Sequence, residues 1–316
     1  MINIEYGAKI SGSFEIKVFR DGAVIKRLGR NKNLILSSQM ASLGLLGTYL
    51  HVGSGSTPPA FSDTSLVNWV AAKQSTGGWA EVSSSLVGDN YEREDKLEHQ
   101  FNVGAVIGNI SELGLSLSIS QATNLDTRAL LKDDIGDPTT ISVGASDQLV
   151  VTYFIKKQIN MLPTITSSLL NGVTIDYTIR PCISVNGKAG SRAAFPSSIY
   201  LESSGMYMTV NDTNRVSIDP VTYLPTTLTS SGERTEVGGY SITLTATGNE
   251  IIHTFTMPIN LGNFQWSCAT FATSNIYSLT SNYVLFQIEF NGPNYITKLD
   301  TEIVTFRLKE ILSQVV

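Results

Sequence analysis

The chain has 316 residues, of which 42% are hydrophobic and only 16% charged, with a formal net charge of −5 and a pI near 5.3. The length allows one large β architecture or two ordinary domains, with enough apolar side chain for a sizeable core. Its 22 Lys and Arg residues form no basic block of the kind that neutralises phosphates, so no nucleic acid is expected as a partner.

The charged fraction of 16% lies well below the roughly 25% of an ordinary soluble chain. Ser, Thr and Asn take its place, a mix that suits exposed strand faces and turns better than helix surfaces. A surface so poor in charge also suits burial between subunits. No run approaches the about 20 apolar residues that span a bilayer, so no membrane insertion is expected. The first 12 residues carry Glu5 and Lys9 and no long apolar run, unlike a secretion signal. The chain is therefore expected to be made and kept in a cytoplasm, or released by lysis. In that setting Asn109-Ile110-Ser111 and Asn211-Asp212-Thr213 match the glycosylation pattern by chance. Cys182 and Cys268 lie in β-like segments outside any Cys-x-x-Cys or Cys/His cluster, so two buried thiols are expected rather than a disulfide.

A period of two appears first at Phe14, Ile16 and Val18, which alternate with Glu15 and Lys17. Asp21-Gly22 supplies a hairpin turn, because Gly accepts positive φ without steric cost, and Val24, Lys26 and Leu28 lie on the return strand. Phe14, Ile16, Val18, Val24 and Leu28 are the candidate interface residues. An open hairpin edge carries unpaired N–H and C=O groups that a neighbouring polypeptide can complete. Met40, Leu43 and Leu46 fall at helical spacing before Gly47, predicting a short helix over 37–46.

A strand over 49–52 leads into Gly53-Ser54-Gly55-Ser56-Thr57-Pro58-Pro59. A phosphate-binding dinucleotide loop needs a third Gly opening a helix, and the two prolines stand in its way, so a surface loop is expected. Asp63 is expected to cap one helical turn at 65–70. Residues 91–100 mix Glu92, Glu94, Asp95 and Glu98 with Arg93 and Lys96. A strand is preferred there, because strand-like Phe101-Asn102-Val103-Gly104 follows. The mixed signs read as a solvated face, not as the carboxylate pair of a glycosidase.

Leu113, Leu115, Leu117 and Ile119 alternate with small polar residues, and a further strand is expected at 127–131. Asp133, Asp134 and Asp137 are weak candidates for a metal site, offering oxygens to a hard cation such as calcium. The same run, ending at Pro138, also makes an ordinary turn in which Asp caps its own backbone, and that reading is preferred. A strand at 140–143 returns, and Leu149, Val151, Tyr153 and Ile155 alternate strongly.

Leu162-Pro163 breaks the pattern, because the residue before Pro is pushed to extended geometry. The break divides the chain into expected domains of 1–160 and 161–316. Further strands are expected at 174–185, 199–201, 206–210, 240–246, 251–257, 283–290 and 303–308. Short strands at such spacing, separated by turns rich in Asn, Gly, Ser and Asp, predict a mainly β protein. The expected form is antiparallel β-sandwich, jelly-roll-like domains, with one or two short helices in the first half. No fixed period supports a solenoid or propeller.

The three histidines, His51, His99 and His253, share no metal-ligand spacing, and no HExxH, nucleophile elbow or P-loop is present. Neither catalysis nor a cofactor is expected from these residues. Trp69, Trp79 and Trp266 could stack on a sugar ring if exposed, although core or interface burial is the commoner use of Trp.

Several segments, taken in order, resemble a module that recurs in structural proteins of tailed-bacteriophage virions. These are Lys32-Asn33-Leu34-Ile35-Leu36, His51-Val52-Gly53-Ser54-Gly55-Ser56-Thr57-Pro58-Pro59 and Asp63-Thr64-Ser65-Leu66. Gly108-Asn109-Ile110-Ser111-Glu112-Leu113-Gly114-Leu115, Arg128-Ala129-Leu130-Leu131-Lys132-Asp133 and Leu149-Val150-Val151-Thr152-Tyr153 follow. The match covers roughly the first half of the chain; Phe290-Asn291-Gly292-Pro293 only faintly resembles a closing element. The resemblance implies a virion location in a tail, baseplate, neck or fibre attachment. It further implies a structural role, with copies of itself and other virion proteins as partners. A receptor- or carbohydrate-binding tip that contacts a host surface glycan is the alternative.

Overall fold

The computed structural model describes residues 1–37, 47–120, 124–170 and 172–184, and beyond these a set of strands and single positions between 206 and 314. The protein is mainly β, as its alternating apolar stripes require. β1 (Ile2–Arg20) and β2 (Ala23–Ile35) form the opening hairpin. The turn is the two residues Asp21 and Gly22, at φ 49° and 79°, and a tight turn matched to strand twist needs positive φ at both positions.

The chain continues through β3 (Tyr49–Gly53), β4 (Trp69–Gln74), β5 (Ala80–Val87), β6 (Asn90–Gln100), β7 (Gly108–Ile110) and β8 (Glu112–Ser116). β9 (Thr127–Leu130), β10 (Ile141–Val143), β11 (Asp147–Asn160), β12 (Thr164–Leu170) and β13 (Val173–Ser184) follow. Later strands are β14 (Met206–Asn211), β15 (Ser217–Ile218), β16 (Pro225–Thr227), β17 (Arg234–Glu236), β18 (Ser241–Thr247) and β19 (Glu250–Met257). The last are β20 (Gln265–Trp266), β21 (Cys268–Thr273), β22 (Tyr283–Phe290), β23 (Ile296–Thr297) and β24 (Val304–Gln314).

β1 is the axis of the large sheet. β11 pairs antiparallel along one edge, from Ala8↔Ile159 to Arg20↔Asp147. On the other edge β2 takes the second half of β1, and β24 takes the first half in parallel register, Ile2↔Phe306 to Ile10↔Gln314. β6 and β5 extend the β11 side, and β19 and β18 extend from β24. The far end of β2 pairs with β9 through Leu34↔Arg128 and Ile35↔Thr127, and β9, β8, β3 and β4 continue the sheet from there. A second sheet runs β12-β13-β22-β21-β14-β17. One hydrophobic core joins Phe14 and Ile16 of β1, Val52 of β3, Leu113 of β8 and Val151 of β11. Tyr177, Phe290 and Phe306, from beyond residue 161, belong to the same core.

Four expectations change. β1 is an interior strand, so Phe14, Ile16 and Val18 fill the chain's own core and are not available as interface residues. Of the other two candidates Leu28 is half-buried and packs against that core, while Val24 near the hairpin tip is 51% exposed. The charged run in β6 is not a solvated face throughout. Arg93 and Asp95 alternate into the interior with Tyr91, Leu97 and His99, and they pair with each other at 2.8 Å. No helical turn forms at 65–70; Asp63 instead accepts the Ala60 N–H at 2.8 Å and joins an ion pair described below. The strand carrying Leu113 and Leu115 ends at Ser116, leaving Leu117 and Ile119 exposed. Residues 38–46 of the helix expected over 37–46, and the strand expected over 199–201, lie outside the described residues.

Truncating the buried Phe14 to Ala is expected to cost about 3–5 kcal/mol of folding stability in urea titration, against less than about 0.5 kcal/mol for Val24→Ala. Equal small effects at both positions would contradict an interior β1.

Candidate functional site

The most organised polar cluster is built on two neighbouring strands. β8 and β9 pair antiparallel through Glu112↔Leu130 and Leu113↔Ala129, which sets Glu112 and Arg128 diagonally on one face. Gly114 faces Arg128 in that register; a Cβ there would collide with the Thr127 carbonyl and come within 3.0 Å of the Leu125 side chain. Both charged side chains are buried. Arg128 donates to Glu112 Oε2 from Nε at 3.1 Å and from Nη2 at 2.9 Å. Its Nη1 pairs with Asp63 Oδ2 at 2.5 Å, and Nη2 also reaches the Thr57 carbonyl at 2.9 Å.

Glu112 then gathers backbone donors from both ends of the loop between β3 and β4. Its Oε1 accepts the N–H groups of Gly55 at 2.9 Å and Asn68 at 2.8 Å, and its Oε2 accepts that of Val67 at 3.2 Å. Ser111 Oγ donates to the Gly55 carbonyl at 2.7 Å. The loop is therefore closed around one carboxylate. Gly55 lies so close that a Cβ would overlap the Glu112 carboxylate and stand 2.6 Å from Val67 Cβ. The glycines of Gly53-Ser54-Gly55 thus serve close approach to Glu112, not a phosphate.

This arrangement can hold a loop, and it is ill suited to proton transfer. Five N–H donors saturate the Glu112 oxygens, and a guanidinium neutralises the charge. The loop it fixes carries outward-facing apolar side chains, with Phe61 47% and Val67 56% exposed.

A second polar group lies beside it. His51 Nδ1 accepts the Trp69 indole N–H at 3.0 Å, so the proton sits on Nε2, which faces Ser116 Oγ at 2.8 Å and the Ser118 carbonyl at 2.9 Å. Burial holds His51 below the ordinary histidine range. His99 is fully enclosed and is pushed down to about 4 by burial, with its Nε2 facing the Thr48 carbonyl at 3.1 Å. Asp126 is pushed up to about 6 by burial. It secures both flanks of the segment 37–46, because its carbonyl accepts from Leu36 N–H at 2.9 Å and its carboxylate from Gly47 N–H at 2.8 Å.

The remaining sequence candidates are dispersed. Asp133 Oδ1 accepts the N–H groups of Ile135 at 3.1 Å and Asp137 at 2.9 Å, and Gly136 takes φ 93°, so this carboxylate caps its own turn. Asp134 and Asp137 share that turn, and among the described residues no group of three His, Cys, Asp or Glu side chains is placed to hold a metal ion. Trp79 meets Tyr153 edge-on at 6.2 Å, so Trp69 and Trp79 both face internal partners. Trp266 lies on β20 and His253 on β19. Cys182 and Cys268 occupy β13 and β21, on opposite sides of β22. Two strand spacings are about 10 Å, beyond the Cα separation that a disulfide bridges.

Glu112 and Arg128 were not singled out as a pair by sequence reasoning. The available signal was a charge set inside an apolar strand in a chain that uses charge sparingly. No protein-family model, curated protein or solved structure matches the chain.

Glu112→Gln leaves Arg128 buried opposite a neutral amide and is expected to cost about 3–5 kcal/mol. Amide hydrogen exchange at Gly55, Val67 and Asn68 should accelerate in the variant; unchanged exchange would exclude the clamp. Titration provides a second check. His99 lies below its unfolded value, so its contribution is present above about pH 6.5 and is lost as pH falls to about 4, an effect of about 3 kcal/mol. Asp126 lies above its unfolded value, so its contribution is present below about pH 4 and is lost as pH rises through about 6. The two oppose each other across the same window. Asp126→Asn should therefore raise stability at pH 7.5 and steepen the loss between pH 6.5 and 4, read as urea midpoints at each pH.

Proposed function

We propose that this chain is a structural component of a tailed-phage virion, without catalytic activity, that oligomerises and binds other virion proteins. One observation carries the reading. Gly53, Gly55, Asp63, Glu112 and Arg128, which belong to the segments resembling a virion module, converge on one buried network that fixes a surface loop. A motif whose central carboxylate, Glu112, is saturated by three backbone N–H groups and the Arg128 guanidinium is suited to presenting a surface and not to turning over a substrate.

The loop held in this way offers Phe61 and Val67 to a partner, and apolar side chains on a pre-ordered loop dock at small entropic cost. The charge-poor composition supports the same reading, since interface cores are depleted in charge. We also infer a sandwich-like closure of the sheet. In support, β3, β8 and β9 continue from the end of β2 and share one core with β1 and β11.

The test is quantitative mass spectrometry of purified particles from a lysate that produces the chain. The chain is expected at a fixed number of copies per particle, retained through a density gradient. Recovery only in the soluble, particle-free fraction would overturn the proposal.

A further inference from the structure

β12 reverses the usual polarity of a half-buried strand. Thr166 and Ser168 lie on the face that meets Tyr177 and Ile175 of β13; Ser168 Oγ shares a hydrogen bond with the Tyr177 hydroxyl at 2.8 Å. Ile165 and Leu169 lie on the opposite face, 76% and 65% exposed. β12 ends its sheet, pairing only with β13 among the described residues, so its far edge presents backbone N–H and C=O groups.

Natural sheets blunt such an edge with charge, proline or a bulge. β12 has none of these. No charged residue occurs from residue 161 to residue 175, Pro163 precedes the strand without interrupting it, and the β12–β13 register runs without a shift. Two edge strands of the large sheet show such protection. β5 carries Glu81 and a register shift between Glu81 and Ser83, and β4 carries Lys73.

We infer that the β12 edge is the contact between two copies of this chain, joined as antiparallel strands about a two-fold axis at Ser167. The inference deepens the oligomerising part of the proposed function and rests on it. Register decides the occupant. Residues opposite each other across an antiparallel pair share a face, and the strand runs from Thr164 to Leu170 with Ser167 at its middle. Full overlap of two copies therefore sets Ser167 against Ser167, Ile165 against Leu169 and Thr166 against Ser168. The register that pairs every backbone group is also the one that sets each exposed aliphatic against another. A segment free of charge needs no oppositely charged partner, and two identical ones do not repel.

The test uses the full chain in solution. Light scattering after gel filtration is expected to give a dimer, or an even multiple, for the unmodified protein and half that mass for I165K/L169K. Both side chains are exposed, so the thermal transition of the variant should stay close to that of the unmodified protein. Ser167→Cys treated with a short bis-maleimide should give a covalent dimer above the background set by Cys182 and Cys268, whereas Ser83→Cys on β5 should not. An oligomer that I165K/L169K leaves intact and Ser167→Cys fails to bridge would overturn the β12 contact while leaving the oligomeric reading standing. A monomer at high concentration would overturn both, while the particle analysis would still report separately on virion location.

Discussion

The organising constraint is the long first strand. A strand of 19 residues that buries one face must have its backbone groups paired and its apolar stripe covered, and no local segment can do both. β1 meets the first demand with β11, β2 and β24, drawn from the middle, the start and the end of the chain. It meets the second by sharing one core with β3 and β8. Every later feature depends on this packing. The face turned away from the core remains polar and supports itself with surface pairs: Arg30 stacks over Phe154 at 3.9 Å and reaches Glu94 at 3.0 Å.

A chain with so little charge nevertheless places some of it inside. Glu112–Arg128 and Arg93–Asp95 are both buried pairs, and desolvation cancels much of the attraction in such pairs. Their physical contribution lies in geometry. Arg128 requires planar, fork-like partners, and Glu112 with Thr57 and Asp63 supplies them, so the loop between β3 and β4 has one low-energy position. His51 and Trp69 stiffen the base of that loop, since Trp69 opens β4 and His51 lies within β3. The link from sequence to surface therefore runs through a few buried polar contacts, not through the loop's own propensity.

Much of the strand pattern was legible. The turn at Asp21-Gly22, the alternation in β11 and the interruption between strands at Leu162-Pro163 are legible in the sequence, because each depends on neighbouring residues. The helical turn proposed at 65–70 failed for a specific reason. Asp63 has the residue type of a cap, but its carboxylate is drawn to Arg128, 65 residues away, as well as to a local N–H. The mixed signs of β6 suggest a solvated face, but the strand's period of two turns Arg93 and Asp95 inward beside Tyr91 and Leu97.

The sequence by itself determined that this is a β protein with turns at particular places, since backbone conformation follows from short-range sterics and from side chains that alternate between faces. Only the tertiary structure decided that β1 lies inside the sheet, that Glu112 meets Arg128 and that β12 stands at an edge. Those outcomes depend on pairings between segments far apart in the chain. The closure of long loops and the burial of shared surface select such pairings, and no local pattern encodes them.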